Sequence, residues 1–387
     1  MDFALNAEQR LYRDTIRSFV DKEIIPVARD WEHSGRYPTE IVATMKELGL
    51  FGLLVPESYG GMGADSVSFA LTFEEISRGW MGIAGILGSH SVSCWMIAKH
   101  GTEEQKQKYL PDLASGVRRT GIALTEPGAG TDLQGIATTA RRDGDHYIVN
   151  GTKMWITNAR YADPLPVLVK TDPTATPAHR GMSILLVPAD SPGFVVTKDI
   201  PKLGYKGTES CEVVLTEVRV HQDQLLGGIE GQGMQQALSS LETGRINVAS
   251  RAIGVAQRAY EEALKYSRDR TAFGQPISDF QAIQLHIAEM ATRLQAARLL
   301  TYWAASRMDA GERVDTETGM AKVFASETAL YCALESLRVH GGYGYSQEFE
   351  VERLYRDAPL MAIGEGTNDV LRTVIAKSLI GGKATVG

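Results

Sequence analysis

The feature that most constrains this chain is a change in its apolar period: helical spacing gives way to short β-branched runs near residue 120, then returns after Gly231. From Ala7 to about Gly116 the apolar residues recur three or four apart, as in Leu11, Ile16, Phe19, Val20, Ile24 and then Ile41, Met45, Leu48. That spacing places them on one face of a helix. Pro38-Thr39-Glu40 reads as a first helical turn, and Gly49, Gly79 and Gly101 fall where helices would end. Pro56-Glu57-Ser58-Tyr59-Gly60-Gly61-Met62-Gly63 reads as a loop between them.

Short strands are expected at 146–149, 154–157, 167–169, 183–187 and 194–197, closed by an alternating stretch at 211–220. Turn formers separate them, among them Asp143-Gly144-Asp145, Asn150-Gly151, Asp172-Pro173 and Ser191-Pro192-Gly193. The spacing suggests an antiparallel sandwich or barrel. Beyond Gly231, helical patterns at 233–268, 277–310, 316–340, 350–362 and 368–380 with short breaks imply a bundle. The expected architecture is mainly α with a middle β domain: N-terminal helices over 1–119, a β domain over 120–230 and a helical bundle over 231–387. A chain of 387 residues is long enough for more than one core.

Composition removes several classes of function. Apolar residues make up 43% and charged residues 22%, mixed along the chain as in globular proteins. The net charge of -7 is not gathered into a tail or arm, so nucleic acid is not an expected partner. Cys94, Cys211 and Cys332 form neither a disulfide framework nor a zinc spacing, and no metal site is expected. The segment Met1-Asp2-Phe3-Ala4-Leu5 lacks the pattern of a signal peptide, so the mature chain is expected to start there. No uninterrupted apolar run approaches the roughly 18 residues of a membrane span.

Several segments carry possible chemistry. Ile122-Ala123-Leu124-Thr125-Glu126-Pro127-Gly128-Ala129-Gly130-Thr131-Asp132 is a loop whose glycines let main-chain N–H groups approach a ring edge, with hydroxyls from Thr125 and Thr131. No Gly-x-Gly here continues into a dinucleotide-binding fingerprint, no G-x-S-x-G elbow occurs, and the histidines lack ligand spacing. Nicotinamide, hydrolase and metalloenzyme readings are disfavoured. In Lys153-Met154-Trp155-Ile156-Thr157-Asn158, Trp155 and Thr157 share a strand face, where a tryptophan is ordinarily core. Arg270 and Phe273 lie in a helix connection, and arginine offers a fork matched to pyrophosphate. His340-Gly341-Gly342-Tyr343-Gly344 allows close backbone approach. Glu365 lies between Gly364 and Gly366, followed by Thr367 and by Asn368, the expected cap of the next helix. Alone, it would be a solvated carboxylate at a helix start; in a pocket it could act as a base.

Together and in this order, the segments Val55-Pro56-Glu57-Ser58-Tyr59-Gly60-Gly61, Leu124 to Asp132, Met154 to Asn158, Arg270-Thr271-Ala272-Phe273-Gly274 and Gly364-Glu365-Gly366-Thr367-Asn368 resemble the acyl-CoA dehydrogenase family over nearly the whole chain. Within that family the chain looks like a short- or branched-chain-like member of bacterial type. The resemblance implies the helix–β–helix architecture, with FAD between the β domain and a C-terminal four-helix bundle, and a homotetramer built as a dimer of dimers. It places Ile122, Leu124, Thr125, Gly130 and Thr131 at the isoalloxazine edge and Trp155 and Thr157 beside the ring. Thr367 and Asp369 approach the cofactor from the Glu365 turn. Arg270, Phe273, Phe280, Gln281, Arg338, Gly341 and Gly342 are the remaining cofactor positions, most of them reaching the flavin of a neighbouring subunit. Acyl-CoA would lie against Thr131, Leu241, Arg245, Gly364 and Gly366, in a pocket drawing on residues 83–97 with His90, Ser91 and Cys94. His90 is expected to cap or pack within its helix.

The same resemblance makes Glu365 the catalytic base, since the helix position used by a minority of members is Gly244 here. Glu365 would take the α-proton while the β-hydrogen leaves as hydride to flavin N5, giving a trans-2-enoyl-CoA. The main-chain N–H of Glu365 and a ribityl hydroxyl would polarise the thioester carbonyl, and an electron-transfer flavoprotein would receive the electrons. Such a role belongs to fatty acid β-oxidation, in a bacterial cytoplasm or, for a processed eukaryotic chain, the mitochondrial matrix. Two positions depart from the family's usual residues: Arg338, where glutamine is frequent, and Gly364, where tyrosine is frequent, the latter opening space near the acyl Cα. Rival readings are an acyl-CoA oxidase or flavin monooxygenase on the same scaffold, or a non-catalytic CoA-ester binding paralogue.

Overall fold

The computed structural model describes residues 5–382; the expected chain start at Met1 to Ala4 and the last five positions lie outside the described residues. Helix α1 (Ala7–Phe19) begins at Asn6, whose side chain accepts the Gln9 N–H while the Gln9 side chain accepts that of Asn6. This reciprocal cap satisfies two donors that a helix start leaves free. One π turn (Val20–Ile24) carries the chain into α2 (Ile25–Ser34), and α3 (Thr39–Glu47) follows. The long α4 (Ser66–His100) and α5 (Glu103–Ala114) complete the first helical group. The expected helix end at Gly79 is a break at the next residue: Trp80 has extended backbone (φ -157, ψ 110). Gly79 itself packs on the π turn, where a Cβ would stand 2.7 Å from Val20 Cγ1.

The expectation about membrane-length apolar stretches needs amendment. α4 is long and apolar enough to span a bilayer, with a window of mean hydropathy 1.3, yet 83% of that window is buried inside the protein. Its apolarity reflects its place at the centre of the core, and its buried charges Glu74, Glu75 and Arg78 lie in its N-terminal half.

Six strands form one sheet: β1 (Thr139–Asp143), β2 (His146–Thr157), β3 (Leu165–Lys170), β4 (Met182–Val187), β5 (Phe194–Asp199) and β6 (Ser210–His221), in the order β4-β3-β1-β2-β6-β5. The expectation of an antiparallel sandwich or barrel is corrected in one respect: β1 pairs in parallel with β3. β1 has no apolar alternation to announce it, reading Thr-Ala-Arg-Arg-Asp. The two runs expected at 146–149 and 154–157 are one strand, interrupted by register shifts between Val149 and Gly151 and between Lys153 and Ile156.

The second helical group contains α6 (Gly233–Asp269), α7 (Gln281–Asp309), α8 (Asp315–His340), α9 (Val351–Ile363) and α10 (Asn368–Ile380). Between α6 and α7 lies a minimal hairpin of β7 (Thr271–Ala272) and β8 (Gln275–Pro276). The start expected at 277 is a 3-10 turn over Ile277–Asp279, and α7 begins at Gln281.

The two helical groups share one apolar core, in which Ile76, Trp80 and Ile83 of α4 join Ile246 and Ile253 of α6 and Ala321 and Ala325 of α8. The sheet has its own core around Tyr147, Val149, Val167, Leu185 and Val213. A third cluster, with Leu110 and Leu113 of α5 against Leu168, Ile184 and Leu186, ties the sheet to the first helices.

Candidate active site

The α9–α10 turn is built from its caps. α9 ends at Gly364, whose N–H donates to Leu360 O at 2.8 Å. α10 is capped by Thr367, whose hydroxyl accepts the Val370 N–H at 3.3 Å. The cap expected at Asn368 is therefore one residue earlier, because Thr367 has extended backbone and Asn368 turns its side chain inward. Asn368 Oδ1 accepts from Lys322 Nζ of α8 at 3.0 Å, and its Nδ2 donates to Ser326 Oγ at 3.0 Å. Lys322 also donates to Gly366 O at 2.8 Å, so one buried ammonium grips the turn at two points. Burial pushes the Lys322 ammonium down to about 8, with Glu365 opposing that shift.

Glu365 has φ of 55°, a left-handed conformation that costs a non-glycine residue roughly 1–3 kcal/mol. The residue as a whole is half-buried, but its carboxyl oxygen Oε2 is buried with no hydrogen-bond partner among the described residues. It points at α6: a Cβ on Gly244 would stand 1.6 Å from Oε2, so the missing side chain there is the space the carboxyl occupies. Positions 244 and 365, distant in sequence, face one spot. Burial pushes the Glu365 carboxyl up to about 7, while Arg251, Lys322 and Arg245 pull it back. The picture of a solvated carboxylate at a helix start is thereby overturned.

Arg245, half-buried on α6, senses Asp315 and Glu242 as well as Glu365. Glu242 is pushed up to about 7 by burial and by its hydrogen bond with Asp315, which Arg313 Nε engages at 2.7 Å. Leu241 is half-buried beside the junction cluster. At Gly364 a Cβ would meet only Leu360 O, at 3.4 Å, and at Gly366 only Leu371, at 3.6 Å. His90 is fully buried: the Thr120 N–H donates to Nδ1 at 3.2 Å and Nε2 lies 3.1 Å from Phe51 O. Burial lowers the ring to about 4, so it is neutral and ties α4 to two loops.

A second group gathers around residues 122–131. The buried Glu126 accepts the N–H of Ala137 at 2.6 Å and of Thr138 at 3.0 Å, and Lys153 Nζ at 2.8 Å. Lys153 Nζ also donates to Leu124 O at 3.0 Å, so this ion pair locks the loop to β2. Burial lowers the Lys153 ammonium to about 8. The extra residue of the β2 bulge puts Trp155 at φ 63° and leaves it 53% exposed, instead of in the core. Ile122, Thr125 and Thr157 are half-buried, Leu124 is buried, and Gly130 and Thr131 are exposed. A Cβ on Gly128 would meet nothing within 4 Å, and one on Gly130 only Thr125 Cγ2 at 4.0 Å, so the backbone is open to a flat ligand.

A third group lies at one end of the bundle. Phe273 has φ of 52° and is 97% exposed, with the Phe280 ring 6.0 Å away edge-on. Arg270 stands 5.8 Å from the Tyr343 ring, and Gln281 opens α7. A Cβ on Gly341 or Gly342 would meet nothing within 4 Å. Arg338 is held by Glu335 of its own helix at 2.8 Å. Asp369, away from this group in the first turn of α10 after Glu365, is exposed and paired with Arg372 at 3.1 Å. Among the described residues, no hydrogen bond or ring contact joins this bundle end to Glu365 or to the 122–131 loop. The structure thus brings Glu365, Gly364, Gly366, Arg245 and Gly244 together, and leaves Arg270, Phe273, Phe280, Gln281, Arg338, Gly341 and Gly342 apart.

Four residues in these groups escaped sequence reasoning: Glu126, Lys153, Arg251 and Lys322. The available signal was charge among small or apolar neighbours, as in Met320-Ala321-Lys322-Val323-Phe324.

Models of the acyl-CoA dehydrogenase N-terminal, middle and C-terminal domains match residues 6–117, 121–218 and 231–380. The chain is 42% identical to a 3-(aryl)acrylate reductase of Clostridium sporogenes, covering 96% of this chain and 98% of that one. It is 40% identical to the caffeyl-CoA reductase-Etf complex subunit CarC of Acetobacterium woodii, over 96% and 98%. The structure of butyryl-CoA dehydrogenase from Megasphaera elsdenii superposes with a TM-score of 0.95 at 35% identity, covering 98% of this chain and 100% of that one.

Proposed function

The chain belongs to the acyl-CoA dehydrogenase family, with activity of that type, and from this premise we propose that Glu365 is the base that removes the α-proton of a bound acyl-CoA thioester. The observation that carries the reading is the Glu365 carboxyl: buried, unpartnered among the described residues and raised to about 7 beside three cations. A thioester α-proton is too weakly acidic for a carboxylate in water. Burial makes this carboxylate more basic, and Arg251, Lys322 and Arg245 keep it ionisable near neutrality. The Glu365 N–H takes no acceptor among the described residues and is free to donate to the thioester carbonyl, where charge develops as the proton leaves. Lys322 fixes both donor and base by holding the turn. The product is the trans-2-enoyl thioester.

The family uses FAD, and the residues fit it: open backbone at Gly128, Gly130, Gly341 and Gly342, hydroxyls at Thr125, Thr131 and Thr157, and a half-exposed indole at Trp155. Bound there, FAD supplies the acceptor for the β-hydride. The isolation of Arg270 and Phe273 from the rest of the site supports a homotetramer in which they reach a neighbouring copy. The proposed division is three domains over 1–119, 120–230 and 231–387, in which the sheet holds a core of its own and the two helical domains share another. An electron-transfer flavoprotein is the proposed acceptor, in keeping with the Etf complex to which the Acetobacterium relative belongs. The space beside Gly364 supports a short or branched acyl group.

Anaerobic addition of a panel of acyl-CoAs should bleach the flavin of the wild type. Glu365→Gln should bind FAD normally and show no bleaching; bleaching at the wild-type rate rejects the assignment. Rapid reaction of the reduced flavin with oxygen would shift the reading to an oxidase.

A further inference from the structure

Three arginines are buried among the described residues, and two of them have a carboxylate partner: Arg78 with Glu75 at 3.1 Å and Arg353 with Glu350. Arg251 does not. It is 7% exposed, its Nε and Nη2 have no hydrogen-bond partner, and no ion pair reaches it among the described residues. A buried guanidinium left this way is strongly disfavoured unless something supplies the missing negative charge.

Its position says what could. Gly244, Asn247 and Arg251 follow each other on α6 at steps of three and four residues, so they share one face. Gly244 faces the Glu365 carboxyl. Asn247 is 1% exposed and packs on Gly88 of α4, where a Cβ would stand 2.8 Å from Nδ2, itself without an acceptor. Arg251 lies 5.0 Å from the Tyr205 ring. Tyr205 is fixed in turn: its N–H donates to Asp357 Oδ1 at 2.6 Å and its hydroxyl fills the place of a Cβ on Gly85. The seven residues from Gly244 to Arg251 rise roughly 10 Å, and helical side chains lean back toward the N-terminus, so the guanidinium is aimed toward Glu365. Arg251 heads the cations acting on that carboxyl.

We propose that Arg251 and Asn247 close the far end of the acyl pocket, and that the substrate is a short acyl thioester carrying a terminal carboxylate. This rests on Glu365 acting at the Cα–Cβ bond of an acyl-CoA. With that bond beside Glu365, a terminal carboxylate meets the free Nε and Nη2 in a two-pronged, charge-assisted contact, and Asn247 Nδ2 adds a third donor. An alkyl end in the same place leaves all three donors buried and unmet. Discrimination by unmet polar groups is far steeper than discrimination by one methylene.

The test compares butyryl-CoA with glutaryl-CoA and adipyl-CoA on the FAD-loaded wild type and on Arg251→Gln, by kcat/KM and by anaerobic bleaching. The expected wild-type result is a preference of at least about a hundredfold for one of the dicarboxylic esters. In Arg251→Gln that ratio should collapse toward one, chiefly through KM, with Arg251→Lys intermediate. A wild type that uses butyryl-CoA as well as both dicarboxylic esters overturns this inference and leaves the role of Glu365 standing. So does an Arg251→Gln variant that loses activity on all three in equal proportion. Failure of every ester to bleach the flavin defeats the proposed function, and this inference with it.

Discussion

Glu365 and Phe273 share an uncommon backbone conformation, with φ of 55° and 52°, in opposite surroundings. The Glu365 turn is gripped by its own chain through Lys322, Asn368 and the Thr367 cap, and its carboxyl is buried. Phe273 stands on a two-strand hairpin, 97% exposed, with one aromatic neighbour. Each conformation costs roughly 1–3 kcal/mol. In the first case the surrounding protein supplies the compensation; in the second the chain alone does not, which fits contact with a cofactor or a second copy. A strained residue therefore points to different work according to what encloses it.

The widest break in the comparison comes from the proposed base, Glu365. Glu365→Gln should slow flavin reduction by about 10³- to 10⁴-fold in anaerobic stopped flow with FAD content unchanged. Gly244→Ala puts a methyl where Oε2 lies, and the displaced carboxyl should cost on the order of a hundredfold in the same measurement. Protonation tests the enclosure. The folded-state value near 7 exceeds the unfolded 4.5, so this group favours folding at low pH and loses that contribution, up to roughly 3 kcal/mol, as pH rises from about 4.5 through 7. Flavin reduction should rise over the upper part of that window, and Glu365→Gln should flatten the stability profile. Lys322→Met removes two hydrogen bonds from a charged donor and should lower urea stability by about 2 kcal/mol. Phe273→Ala should leave stability within about 0.5 kcal/mol while weakening assembly in light scattering and FAD retention in absorbance. Equal stability losses in the last two variants would erase the contrast between the sites.

The helices were legible because long amphipathic periods survive in the sequence; the bounds expected for α6 and α10 differ from those found by one residue or none. β1 was not legible, since Thr-Ala-Arg-Arg-Asp borrows its place from β2 and β3. Trp155 was expected on a strand face, and only the pairing reveals that a bulge aims it outward. Glu365 could be singled out from its glycine-flanked turn, whereas its burial against Gly244 depends on α6 and the turn meeting across 121 residues of sequence. Arg251 and Lys322 were invisible because one sequence shows that a charge is present on a helix and not which neighbours it lacks.

The core shared by the two helical groups bears on how the chain reaches this state. α4 ends at His100 and shares its apolar core with α6, which begins only at Gly233, 133 residues later. A nascent chain leaving the ribosome must hold its part of that core without its partner until the whole sheet has been made. Closing so long a loop is costly in chain entropy, but a folded β domain brings its two ends together and shortens the effective gap. The sheet is thus a folding clip as well as the proposed ligand platform, and lesions in its own core should first appear as aggregation of half-made chains.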